Sequence, residues 1–177
     1  MKDKNYTKII VASSLVIMVV GSIALAWIMS KNFRKDVNQE RYKLTKIYKE
    51  IKDTPYNYNA EDGRRHYNNM CSKCHGIDGA GSELYPPLKD SEIVKSNKES
   101  FLKIFLNGLQ GPIIRNERTY NGSMPGFKNI SHTDIAHIMN YIQTEINKGE
   151  VFIDDKEVIS GKIKHIERKK AFTEAEL

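Results

Sequence analysis

The chain has 177 residues, of which 40% are hydrophobic and 9% aromatic, and this allows one ordinary folded domain with accessory segments. Its net charge of +6 is unevenly distributed: residues 1–59 contain eleven basic and five acidic side chains, whereas residues 60–148 contain eleven and ten. A central region so close to neutral excludes the broad basic surface of a nucleic-acid-binding domain, and we expect no nucleic-acid partner.

An uncharged stretch near the N-terminus, residues 9–30, is long enough to cross a membrane. As a helix its 22 residues rise about 33 Å, against a hydrocarbon core of ~30 Å. A cleaved signal peptide is the alternative, because three lysines precede the stretch and residues 24–26, Ala-Leu-Ala, resemble a cleavage site. The apolar run continues past that site through Trp27, which favours an uncleaved transmembrane anchor over residues 1–30.

A charged helical spacer is predicted next, in residues 31–59. Basic and acidic side chains alternate there around a thin apolar stripe, and Pro55 ends the helical pattern. The local excess of positive charge suits anionic lipid head groups, although a merely solvated helix explains it equally well. Asn59 is a candidate N-cap for a short helix over residues 60–70.

Both cysteines of the chain, Cys71 and Cys74, lie in the sequence "MCSKCHG", and His75 directly follows the second one. C-x-x-C-H is the haem-attachment pattern: the spacing lets the thiols reach two vinyl groups on one porphyrin edge, and the histidine can then bind the iron. A disulfide or a thiol redox pair needs no histidine, and a thioredoxin-like alternation of strands and helices is missing. A zinc site would need two further ligands at recognisable spacing. We therefore expect one covalently bound haem c.

Beyond the motif, the pattern predicts a loop, a helix and a small hairpin. Three glycines and two successive prolines keep residues 76–91 out of regular structure. Apolar residues at helical spacing predict a helix within residues 97–111, with Gly108 in a left-handed conformation at its end. The β-prone segments 113–115 and 118–120 predict a hairpin.

The last strong helix begins at Ser131, which forms a capping box with Asp134 and precedes one apolar face. After it, residues 149–177 predict a short extended piece, a weak helix around 158–166 and a charged end.

A haem held by His75 has a second axial position, and Met124 is the best candidate for it. Met124 lies in "NGSMPGF", where proline stops a helix and glycines let the backbone approach a flat ring closely. A plain turn with a packed methionine is the alternative. Met139 belongs to the apolar face of the last helix and is expected in the core, while His132 could substitute if the Met124 loop moved.

Five segments occur in an order that resembles a class I, single-haem cytochrome c of the membrane-anchored bacterial type. They are EDGRRHYNNMCSKCHGIDGAG, YPPL, GLQGPI, YNGSMPGF and DIAHIMNYIQTEI. The resemblance covers residues 60–148 and implies an all-α cytochrome c fold around one covalent haem, preceded here by the N-terminal transmembrane helix. It also implies that the first and last helices cross near Gly63 and Tyr141.

The resemblance further implies that a carbonyl in the Pro86-Pro87 stretch accepts the Nδ1 proton of His75. Tyr120 and Asn121 would lie near the haem edge. The iron ligands would be His75 and Met124, and no catalytic residue is expected. The expected cofactor-binding residues are Cys71, Cys74, His75, Met124, Pro87, Tyr120 and Asn121.

The domain organisation expected from these patterns has four parts: an anchor (1–30), a charged spacer (31–59), a cytochrome c domain (60–148) and a C-terminal tail (149–177). The function implied is transfer of single electrons between respiratory complexes, from a dehydrogenase or quinol-oxidising complex to a terminal oxidase or reductase. Filled axial positions leave no open iron site, so we expect an electron-transfer protein with redox protein partners, not an enzyme with a small-molecule substrate. The alternative is a haem-based gas sensor in which the methionine ligand detaches.

Orientation across the membrane is contradictory in the sequence. Three basic residues precede the span and seven lie within residues 31–50, so the positive-inside rule places the large part in the cytoplasm. Covalent haem attachment is associated with the outer side of a bacterial cytoplasmic membrane, and long domains are translocated largely regardless of charge. We therefore expect a single-pass protein with its haem domain on the periplasmic, extracytoplasmic side.

Overall fold

The computed structural model describes the backbone of residues 3–177 and the side chains from residue 16 onward. It is 58% helical, which confirms the expected mainly helical class. The charged start of the predicted anchor lies outside the described side chains. The chain divides into two units, residues 1–42 and residues 43–177.

The first helix, α1, runs from Asp3 to Ile51. Its part Val16–Ile51 contains a stretch with a mean hydropathy of 1.7, none of which is buried. The helix is therefore long and apolar enough to cross a membrane, although a signal sequence would share both properties. The helix predicted in the charged spacer is confirmed as far as Ile51, four residues before Pro55.

The second unit contains six further helices and four short strands. In chain order they are α2 (Ala60–Met70), α3 (Ser72–His75), α4 (Glu92–Ser96), α5 (Lys98–Asn107), β1 (Gly108–Gln110), β2 (Ile113–Arg115), β3 (Arg118–Tyr120), β4 (Ser123–Pro125), α6 (His132–Tyr141) and α7 (Asp155–Lys164). A π-helical turn, Ile142–Ile146, continues α6, and a 3₁₀ turn, Glu174–Glu176, follows α7.

Local capping explains where the two principal helices begin. The side chain of Asn59 accepts hydrogen bonds from the backbone N–H groups of Glu61 and Asp62 at 3.0 and 3.2 Å, which confirms the predicted cap of α2. The hydroxyl of Ser131 accepts from the N–H of Asp134 at 3.0 Å, which is the predicted N-cap of α6 but only one of the two bonds of the predicted capping box. These bonds satisfy N–H groups that the helices leave without intrahelical partners.

The strands form two separate antiparallel pairs. The predicted hairpin is confirmed as β2 with β3, and its turn residues Asn116 and Glu117 have φ angles of 50° and 62° although neither is glycine. The pairing of β1 with β4 is not apparent from the sequence, because the two strands are separated by the whole hairpin. Gly108 has the expected left-handed conformation, with φ of 84°, and starts β1 directly after α5.

Helices α2 and α6 cross at Gly63 and Tyr141, as expected. A Cβ atom on Gly63 would lie 2.6 Å from the carbonyl oxygen of His137 and 2.8 Å from Cβ of Tyr141. Only a residue without a side chain permits this approach. The apolar face of α6 lies in the core beneath the crossing, and Met139 on that face is fully buried, as its helical spacing predicted.

The linker between α1 and α2 is attached to α6 by hydrogen bonds. Nδ1 of His137 accepts from the backbone N–H of Asn59 at 3.2 Å and lies 2.9 Å from the hydroxyl of Tyr56. Because a backbone N–H can only donate, the proton of neutral His137 is on Nε2. Burial lowers the pKa of His137, while the carboxylates of Asp62 and Asp134 act in the opposite direction.

The segment after α6 is part of the core. Helix α7 begins three residues before the predicted weak helix, with a capping box between Asp154 and Glu157, and buries Val158 and Ile159. The carboxamide of Asn140, fully buried in α6, accepts from the backbone N–H groups that lead into α7 and donates to a carbonyl there at 2.7 Å. One polar side chain therefore fixes the approach of the chain to α7.

Candidate functional site

A cavity in the second unit brings five of the predicted site residues together. It encloses about 740 Å³, its open mouth included, and is lined by Cys71, Cys74, His75, Tyr120 and Met124. Apolar side chains supply most of the remaining wall.

The end of α2 and the single turn α3 position the two thiols. The N–H of Cys71 donates to the carbonyl of Tyr67 at 2.8 Å, and the N–H groups of Cys74 and His75 donate back to the carbonyl of Cys71 at 3.1 and 2.9 Å. Residues three and four apart share one side of a helical turn, so all three side chains of the motif reach the same cavity.

The two cysteines are free thiols, with Cys71 buried and Cys74 partly exposed. Burial raises the pKa of the Cys71 thiol to about 12, with a smaller contribution from the neighbouring Cys74. Disulfide exchange proceeds through the thiolate, which is scarce at neutral pH in such a thiol. Within the described residues no group of three or more His, Cys, Asp and Glu side chains forms a metal cluster.

His75 is prepared to be a ligand through Nε2. Its Nδ1–H donates to the carbonyl oxygen of Pro86 at 2.9 Å, and a carbonyl can only accept, so the second ring nitrogen carries a free lone pair. Burial lowers the pKa of His75 and outweighs the hydrogen bond to Pro86, which acts in the opposite direction. The imidazole is therefore neutral, the form that binds metal ions.

The loop after the motif has to pass close to His75 to supply that carbonyl. The N–H of Gly81 donates to the carbonyl of His75 at 2.8 Å. A Cβ atom on Gly81 would lie 2.5 Å from the carbonyl oxygen of Tyr85, and its φ of 73° also requires glycine. The hydroxyl of Tyr67 fixes the start of the loop by donating to the carbonyl of Gly76 at 2.6 Å.

Met124 reaches the cavity from β4, in register with Leu109 of β1. The two strands are unusually close, because a Cβ atom on Gly108 would lie 2.3 Å from the carbonyl oxygen of Met124. Met124 is partly buried and packs against the cluster that includes Leu109 and Tyr120. The loop predicted for Met124 is thus one strand of a small sheet.

The other predicted site residues lie in different places. Pro86 supplies the carbonyl that faces His75, whereas Pro87 lines a second, more polar cavity beside α4. Tyr120 is buried at the end of β3, and Asn121, the next residue, is exposed. The wall residue Leu109 was not predicted; its only local signal is the helix-ending Gly108 before it.

The donor set fits a covalently attached haem. Two free thiols stand beside a neutral imidazole with one nitrogen unoccupied, and a thioether side chain, Met124, lies in the same largely apolar cavity. Cys71 and Cys74 would hold the haem by thioether bonds, and His75 would bind its iron.

Comparison with known proteins points to the same cofactor. Residues 60–145 match the family model described as cytochrome c. Two curated relatives, both cytochrome c-552 from Thermus thermophilus, are 34% identical over 88 residues. The aligned region covers 47% of this chain, and 66% and 59% of the two relatives, so it spans less than two thirds of either.

Proposed function

We propose that the chain, whose residues 60–145 match the cytochrome c family model, is a membrane-anchored carrier of single electrons. The family carries covalently attached haem c, whose iron supplies the one-electron chemistry. The residues of this chain would hold, orient and shield that group.

The hydrogen bond from His75 to Pro86 is the observation that carries the proposal. It fixes the imidazole in one tautomer and one orientation, with Nε2 available to the iron. Cys71 and Cys74 lie on the same turn and would hold the porphyrin edge by thioether bonds.

Met124 would occupy the second axial position. A thioether ligand is soft and favours the reduced iron, and His/Met ligation leaves no position for a substrate. Tyr120, Leu109 and the other wall residues would surround the haem with a largely apolar lining, which also favours the reduced form. This arrangement suits electron transfer better than ligand binding or catalysis.

The partners would be respiratory redox proteins, with a dehydrogenase or quinol-oxidising complex as donor and a terminal oxidase or reductase as acceptor. The apolar part of α1 would anchor the chain in the bacterial cytoplasmic membrane as a single span, and the haem domain would lie outside the cytoplasm. The length and hydropathy of Val16–Ile51 support the anchor, and the haem motif supports the orientation.

Haem attachment is tested by denaturing electrophoresis with haem staining. The full chain should give a stained band, and the double variant Cys71→Ala, Cys74→Ala should lose it because both thioether bonds are absent. A band that persists in the double variant contradicts covalent attachment at these cysteines.

The axial ligand is tested by absorption spectroscopy and redox titration of the full chain. A thioether bound to ferric iron gives a weak charge-transfer band at the red end of the spectrum, and Met124→His should abolish it and lower the reduction potential. Met139→Leu is the matched control and should leave both unchanged. If ferrous wild-type protein binds carbon monoxide readily, the gas-sensor alternative replaces the carrier.

The anchor is tested by carbonate extraction of membranes that contain the full chain. An anchored protein stays in the membrane fraction and keeps its N-terminal segment. A soluble protein whose N-terminus begins near Trp27 contradicts the anchor and supports a cleaved signal peptide.

A further inference from the structure

The end of the chain, residues 165–177, lies against the strand that supports Met124; we call it the tail segment. The backbone of Phe172 pairs with β1: its N–H donates to the carbonyl of Gly108 at 3.0 Å, and its carbonyl accepts from the N–H of Gln110 at 2.8 Å. These bonds form a parallel bridge between Leu109 and Phe172. The tail segment therefore occupies one edge of β1.

The opposite edge of β1 is occupied by β4, with Leu109 in register with Met124. Successive residues of a strand direct their N–H and carbonyl groups to opposite edges. Since Gly108 and Gln110 bond to Phe172, the backbone groups of Leu109 are directed towards Met124. Leu109 thus stands between the tail segment and the proposed iron ligand.

Side-chain packing also connects the tail segment to Met124. Phe172 is 4% exposed and belongs to one apolar cluster with Ile104, Leu109 and Tyr120, and Met124 packs against that cluster. Phe172 and Met124 are thus joined through one close-packed apolar cluster.

Arg168 holds the tail segment in this position. Its guanidinium lies 3.7 Å from the centroid of the Phe172 ring and donates to both carboxylate oxygens of Glu176 at 2.8 and 2.9 Å. Its backbone carbonyl accepts from the side chains of Asn107 and Lys128, at 3.3 and 3.2 Å. Asn107 ends α5 directly before β1, and Lys128 follows β4. Arg168 therefore connects the tail segment to the chain on either side of the β1–β4 pair.

We infer that the tail segment is a positioning element for Met124, which fixes β1 from its free edge and so limits how readily Met124 leaves the haem iron. The inference rests on the proposed function, since it takes Met124 as the axial ligand. Phe172 and Arg168 are not among the residues that line the cavity. They act through Leu109 and β4, on the stability of the iron–sulfur bond.

The test uses the full, haem-loaded chain and two variants, Phe172→Leu and Arg168→Ala. Each has a matched control: Phe152→Leu removes a ring that stacks on Phe101 in the other core cluster, and Arg64→Ala removes an exposed arginine paired with its neighbour Glu61. The controls report general destabilisation without disturbing β1.

Two measurements distinguish positioning from a merely structural role. Imidazole added to the ferric protein competes with Met124, so the tail variants should bind it at least about fivefold more tightly, within the usual range of coupling between sites. Amide exchange in a peptide that contains β4 should be faster in the same variants. Both controls should stay within about twofold of wild type in affinity, and their β4 exchange should be unchanged.

The outcomes separate the inference from the proposed function. Unchanged imidazole affinity and unchanged β4 exchange in both tail variants overturn the inference, while the Met124 band of the wild type still stands. Equal effects in the tail variants and in the controls would show that the tail segment only stabilises the fold in general, and this result also overturns the inference. A wild-type protein without the thioether band overturns the assignment of Met124 and the inference with it.

Discussion

The close crossing of α2 and α6 predicts how much stability the variant Gly63→Ala loses. The added methyl group would lie 2.6 Å from the carbonyl oxygen of His137 and 2.8 Å from Cβ of Tyr141, and neither atom can move without its helix. Such overpacking costs about 1–3 kcal/mol. Replacing a glycine inside a helix recovers only about 1 kcal/mol, so we expect a net loss of up to ~2 kcal/mol in the free energy of unfolding.

Gly161→Ala in α7 is the matched control. There the added methyl group would lie 2.6 Å from Cδ2 of Leu102, which is the end of a flexible side chain and can rotate away. The gain in helix propensity then dominates, and we expect a change between zero and about 1 kcal/mol in favour of the folded state. The two alanine variants should differ by roughly 2 kcal/mol, or about 7 °C in Tm for a unit of this size.

Denaturant unfolding of the haem-loaded full chain in detergent, followed by circular dichroism of the haem band, measures the difference. Trp27 belongs to the first of the two units, so the haem band is the direct probe of the second. A Gly63→Ala protein as stable as Gly161→Ala would refute the reasoning, because it would show that α2 and α6 separate without cost.

Two further predictions concern polar groups of α6. Asn140→Leu removes the hydrogen-bond partner of the backbone N–H groups of Phe152 and Ile153 and of the carbonyl of Ile153. We expect the free energy of unfolding to fall by roughly 3 kcal/mol or more, and amide exchange in α7 to become faster. An exchange rate in α7 equal to that of the wild type would contradict this prediction. Burial lowers the pKa of His137, so the unfolded imidazole takes up its proton first and stability should fall as the pH drops below about 6.5. The variant His137→Gln should show a smaller loss of the urea midpoint between pH ~7 and ~5, and an identical loss would show that another group is responsible.

Local signals account for the features that were predictable. The cap of α2 depends on hydrogen bonds between Asn59 and residues two and three positions later, and the cap of α6 on a bond across three residues. Composition within one turn decides such contacts, whatever the rest of the chain does. The capping box of Asp154 and Glu157 is also local, and it could have placed the start of α7 correctly.

The sequence by itself determined the haem-attachment motif, because Cys71, Cys74 and His75 lie on one helical turn whose geometry follows from spacing alone. It also indicated Met124, since proline and glycine restrict the local backbone. Which carbonyl orients His75, and which strands support Met124, was decided only by the tertiary structure. Those contacts join residues that are between 11 and more than 60 positions apart, and no local pattern records them. They form because the crossing of α2 and α6 and the packing of α7 bring distant segments together, where close packing selects one partner among many.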